Sequence, residues 1–280
     1  MRTLILTAAI TIAIAAGTMV AAGPDAKELA QKGYSTFKEV LAGDEAKLPE
    51  AIRYLEEAKR ADETSVPNLY NLARAYFFEA FTFNREESAE KAEKTFARMI
   101  ELDPSRTDAM AFHGAILVQK SGGRDMAMFM RGAQELKTAS ERTPNDLTVR
   151  IVLGFVTPNL PPQARAMIGA DDPVGNLKFV GNVFDGLSSD FAPHAGVVMN
   201  AFIGEAQMMS GDQEKARASF EKALRNPQPD DEGQAAGRKM LDAVITARMN
   251  GGQTPIFADP LFSGCHSCHL AAPNKLLSKK

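Results

Sequence analysis

The segment FSGCHSCHL, residues 262–270, holds both cysteines of the chain and two of its four histidines. Cys265 and Cys268 stand three apart, and each is followed by a histidine, His266 and His269. Thiols so placed can close a redox disulfide, ligate a soft metal, or carry a haem through two thioethers. The pattern Cys-x-x-Cys-His fits the third chemistry: two thioethers hold the porphyrin edge on one short turn, and the next histidine reaches the iron. Cys265 and Cys268 are then the anchors of one covalent haem c, and His269 is its proximal ligand. A redox disulfide leaves His269 unexplained and belongs at a helix start after a strand, where no strand pattern occurs. A zinc or copper site needs ligands that wrap the ion, which four near-adjacent residues do poorly. His266 lies between the anchors, faces away from that iron, and reads as a linker residue.

The leader agrees with the motif. MRTLILTAAITIAIAAGTMVAAGPDAKE begins with one Arg, runs through apolar residues and ends in small ones, with Val20-Ala21-Ala22 before a Gly-Pro break. This predicts a signal peptide over residues 1–22 and an exported, periplasmic-type location; an uncleaved anchor is the alternative, and no later segment could span a bilayer. By the pentapeptide and the export signal the chain resembles the c-type cytochromes, whose attachment machinery works outside the cytoplasm. In small soluble members of that group a distal Met lies well downstream of the motif. Here the 11 residues after His269 hold neither Met nor His. The sixth ligand is therefore expected from the helical body, from a partner, or not at all. Met249 and Met240 on the last helix and His194 in a Pro-rich stretch are the candidates, Met249 first. His113, the Met126–Met130 run (MAMFM), Met208 and Met209 are expected to pack in the core.

The elements that must carry this site come as a repeat. Ala51, Leu55, Ala58 recur as Ala92, Phe96, Met99, then Gly132, Leu136, Ala139, and later Ala216, Phe220, Ala223. Each set is followed by a helix stop, and each is preceded by a small residue on an apolar helix: Gly33, Ala73, Gly114, Gly204, with Gly154 between. A small residue lets two helices approach, a large one fills the space beside it, and proline ends the second helix. This pattern resembles the tetratricopeptide repeat (TPR) family over roughly residues 26–228. The resemblance implies an all-α solenoid of helical hairpins whose surfaces bind partners. In the first three units the sequence between the helices is longer than the family's, which predicts extended hairpins or longer loops. Residues 157–195, with four prolines in TPNLPPQARAMIGADDPVGN, break the pattern.

The expected organisation is a signal peptide (1–22), a TPR-like helical domain (23–250) ending in a cap helix over 232–250, and a C-terminal haem-binding tail (251–280). Gly251-Gly252 reads as flexible backbone that makes the tail separable. Phe257, Leu261, Phe262 and Leu270 offer apolar surface to fold the tail back onto the last helices and cover a porphyrin. A net charge of −3 with 24% charged residues leaves no electrostatic footprint for nucleic acid. Phosphate loops, zinc-protease motifs and nucleophile elbows are absent from the sequence. The function expected is single-electron transfer by a monohaem protein whose solenoid docks a redox partner protein. The alternatives are an interaction scaffold with a structural or sensory haem, and a five-coordinate, peroxidase-like haem enzyme.

Overall fold

The computed structural model describes residues 25–41, 44–169, 172–185, 194–259 and 262. The leader 1–22, Leu261, and the stretch from Cys265 through His269 to Leu270 lie outside the described residues. No strand occurs among the described residues, and none of their helices is long and apolar enough to cross a membrane.

Among the described residues, eleven of the twelve α-helices stack as five hairpins and a cap. The pairs are α1 (Ala26–Leu41) with α2 (Leu48–Ala61), α3 (Val66–Phe83) with α4 (Glu86–Leu102), and α5 (Thr107–Ser121) with α6 (Met126–Arg142). Next come α7 (Leu147–Val156) with α9 (Pro173–Asp185) and α10 (Ala195–Met209) with α11 (Gln213–Leu224); α12 (Glu232–Met249) closes the end on α11 and α10. The short helix α8 (Pro162–Ile168) is inserted in the fourth hairpin and packs back on α6.

Local chemistry starts and stops these helices. Asp125, Asp146, Asp212 and Asp231 each accept a hydrogen bond from the backbone N–H three residues on, capping α6, α7, α11 and α12. The turns after α2 and α4 repeat one device: Asp62 Oδ1 accepts from the N–H and Oγ–H of Thr64, and Asp103 Oδ1 from those of Ser105. Those bonds hold both carboxyls below their usual range, Asp62 mainly through the Thr64 N–H and Asp103 mainly through the Ser105 hydroxyl.

The repeated small and large residues meet as their spacing predicts. A Cβ on Gly33 would lie 2.6 Å from Leu55, one on Gly204 2.7 Å from the Phe220 ring, and one on Gly114 3.0 Å from Leu136 and 2.7 Å from the Gly132 carbonyl. Ala73, Ala92, Phe96 and Met99 are fully buried in the second hairpin. In the second unit the extra length is helix, α3 and α4 running 18 and 17 residues against 15 and 12 for α10 and α11; in the first, part of it lies between α1 and α2, where Glu45–Lys47 forms a 3-10 turn.

Residues 157–195 differ from the sequence expectation. The prolines confine an insertion, and the hairpin resumes at α9, where Leu177 lies 2.8 Å from the place of a Gly154 Cβ and is itself fully buried. Pro173 opens that helix, a position that needs no N–H. Packing also corrects one reading of α6. Met126 and Met130 are 61% and 45% exposed, and Phe129 between them takes the core position.

Candidate functional site

The chain approaches the Cys-x-x-Cys-His motif along α12, and the segment before the motif, as far as Phe262, is held against the fifth hairpin. Gly251-Gly252 is a tight turn rather than a flexible spacer. Gly251 has φ +94°, in the left-handed region, and its N–H donates to the Arg248 carbonyl at 3.2 Å. The N–H of Gly252 donates to the Ala247 carbonyl at 2.9 Å, and a Cβ on Gly252 would sit 2.8 Å from that same oxygen. The turn reverses the chain onto α10.

Two kinds of contact then fix it. The first is polar. Glu205, on α10, is fully buried and takes the Arg248 guanidinium in a two-pronged pair, Nε to Oε2 and Nη2 to Oε1, both at 2.8 Å. The N–H of Ile256 adds a third bond to Oε2 at 3.0 Å, and Arg248 Nη1 donates to the Gly252 carbonyl at 2.6 Å. The carboxylate beside it raises the Arg248 pKa further, so this cation stays charged at any working pH. The second is apolar. Ile256 is fully buried, Phe262 is 2% exposed, and both belong to one core cluster with α9, α10, α11 and α12. Phe202 is the hub: Phe257 stacks on it at 5.2 Å, Phe262 meets it edge-on at 5.8 Å, and Phe155 of α7 meets it at 4.7 Å. The anchored chain thus reaches to three residues before Cys265.

The remaining candidates are scattered. Met249, the last residue of α12, and Met240, nine residues before it, are partly buried against this same cluster, as is Met208. His194 precedes α10 and is fully buried, while its carbonyl accepts from the Val198 N–H. Eight residues separate His194 from Phe202, about 12 Å along a helix axis. His113 is half-buried and pairs through Nδ1 with Glu135 at 2.6 Å across the third hairpin. Met209 is 46% exposed. No group of three His, Cys, Asp or Glu side chains forms a metal site among the described residues.

Glu205, Arg248 and Arg238 were not singled out from sequence. Glu205 did leave a signal, as the only charged residue of the apolar helix AGVVMNAFIGEAQMM. Arg238, also fully buried, donates to the Ala223, Leu224 and Pro227 carbonyls and to Asp242, closing the C-terminal end of α11.

No protein-family model matches the chain, and comparison with curated proteins finds no match. Among solved structures the chain is similar to YrrB, described as a TPR protein with an unusual peptide-binding site. The two share 18% identity with a TM-score of 0.40, over 76% of this chain and 90% of that one.

Proposed function

We propose that this chain is an exported monohaem c-type protein that passes single electrons, with the helical-hairpin stack as scaffold and docking surface for a redox partner protein. The observation that carries the proposal is the pentapeptide Cys265-His266-Ser267-Cys268-His269 beside a leader read as a signal peptide. Two thiols and an imidazole are the donor set a covalent haem requires, and an exported body is where such attachment takes place. The packing just before the motif supports the reading. Ile256, Phe257 and Phe262 supply a dry, aromatic footing, which suits a large apolar ring better than a mobile tail would.

In this proposal Cys265 and Cys268 would hold the haem through thioethers, and the His269 imidazole would ligate its iron. When bound, the group supplies a one-electron couple whose potential follows from axial ligand and burial. The chain's own part is positional. The Glu205–Arg248 pair and the Phe202 cluster fix the chain as far as Phe262, three residues before the motif. Of the distal candidates, Met249 and Met240 already pack in the cluster that holds Phe262, whereas His194 is enclosed and would have to be uncovered first. Met249 is the favoured sixth ligand.

The test is to make the protein in a host with haem-attachment machinery. Denatured chain should keep a peroxidase-active haem stain and gain the mass of one haem. Replacing both cysteines by alanine should abolish both. Full titration of Cys265 and Cys268 by a thiol reagent in protein so made refutes the proposal. Six-coordinate low-spin spectra support electron transfer; a high-spin haem that binds carbon monoxide assigns it to sensing or peroxide chemistry instead.

A further inference from the structure

We infer a binding site for a compact polyanion in the cavity where α9, α10 and α11 meet, on the flank of α10 away from the tail. The cavity measures about 370 Å³. Its rim carries Lys178 from α9 and Lys215 and Lys222 from α11, and its floor carries Asn200 and Gln207 from α10. The three lysines come from two different helices and converge only through the packing of the fourth and fifth hairpins. Lys215 is paired with Asp212, while Lys178 and Lys222 have no ion-pair partner among the described residues. Lys178 and Lys222 are exposed, and their ammonium groups give this cavity local positive charge on a chain whose net charge is −3.

Two amides of the floor are held in place by hydrogen bonds. Asn200 and Gln207 are only 7% and 5% exposed. The Asn200 Nδ2 is spent on the Gly196 carbonyl at 2.6 Å, which fixes that side chain. The Gln207 Oε1 accepts from the Ser219 hydroxyl at 2.7 Å, which turns the amide and leaves its amino group for a guest. The wall is more apolar than polar by area, with Ile203 the one large aliphatic side chain among the lining residues. The volume equals about a dozen waters at roughly 30 Å³ each, the size of a small molecule rather than a folded partner. The chemistry is two or more oxyanion groups, one for Lys178, one for Lys222, with Gln207 beneath. Carboxylates and phosphates share it. Asn200, Ile203 and Gln207 face this cavity, whereas Phe202 and Glu205 of the same helix hold the tail. A ligand here leaves the tail seated, and the site stands whether or not a haem is attached.

Titration calorimetry of the full chain tests this, with citrate and pyrophosphate as probes and acetate as the single-charge comparison, all at one ionic strength. One saturable site is expected for a probe of at least one of the two classes, and the better probe reports whether carboxylates or phosphates are preferred. Lys178→Ala and Lys222→Ala should each weaken it about tenfold or more, with unchanged helicity by circular dichroism. Lys94→Ala on distant α4 should leave it unchanged. Heats that follow ionic strength alone, and that survive both lysine substitutions, mean an adventitious ion only and overturn the site. Failure of both probes while a short oligoglutamate peptide binds through the same lysines also overturns it, because the cavity then belongs to a protein partner.

Discussion

Replacing Arg248 with Met isolates the buried latch that seats the root of the tail. Glu205 is fully buried and Arg248 is its only cation among the described residues, while the side chain of Arg248 is itself 15% exposed. Methionine keeps much of the aliphatic stem and removes the guanidinium. The Ile256 N–H is then the only hydrogen-bond donor left to Glu205 among those described above, and it cannot neutralise a charge. Breaking a buried pair by removing one partner costs about 3–5 kcal/mol. In a hairpin stack each unit touches mainly its neighbours, so the loss should fall on α10–α12. Hydrogen exchange reads this directly. Amides of α10 and α12 should lose protection by about two to three and a half decades, at one decade per ~1.4 kcal/mol, while α1–α4 serve as an internal standard. The double variant Glu205→Leu with Arg248→Met should recover most of the loss, because an apolar pair leaves no stranded charge. If Arg248→Met alone leaves α10–α12 as protected as before, or the double variant is as poor as the single, the latch is not what seats the tail.

Other outcomes follow from the same packing. A chain ended at Asn250 loses the burial of Ile256 and Phe262, each worth about 1.5–3 kcal/mol; its C-terminal helices should melt earlier in urea, and an unchanged curve would mean that the tail contributes nothing to the core. Met249→Ala in haem-loaded protein should convert a low-spin spectrum to high-spin and shift the potential; an unchanged spectrum removes Met249 and turns attention to Met240 and His194. Gly114→Ala puts a methyl 2.7 Å from the Gly132 carbonyl, a backbone atom with little room to yield, and should cost about 1–3 kcal/mol, whereas wild-type stability in urea would contradict that close approach. Burial, and then the hydrogen bond to Glu56, push the Tyr76 phenol well above its usual value. The native state favours the neutral form, so this stability is full below the ordinary phenol pKa of about 10 and fades as pH rises past it. Tyr76→Phe should flatten the alkaline limb of stability against pH, and an equally steep limb would assign the loss to other groups.

Much of the hairpin stack was legible because its determinants lie within one repeat. Gly33 and Leu55, Gly114 and Leu136, Gly204 and Phe220 are each separated by about one helix pair, so periodicity alone brings them opposite one another. The Cys265-x-x-Cys268-His269 proposal is local too, but it rests on five consecutive residues that lie outside the described structure. What only the tertiary structure decided depends on contacts that no local pattern encodes. Leu177 completes the hairpin begun at Gly154 across an insertion, because a buried face needs a partner wherever the chain next supplies one. Met126 and Met130 share a helical face with the right period for a core, yet no neighbour covers them, and periodicity cannot report a missing neighbour. Gly251-Gly252 carries the composition of a hinge and the geometry of a lock, set by the Ala247 carbonyl against which the turn closes. Glu205 and Arg248 lie 43 residues apart. Their pairing, and the cavity lysines gathered on the other side of α10, exist only because the fourth and fifth hairpins and the cap helix pack around one apolar helix.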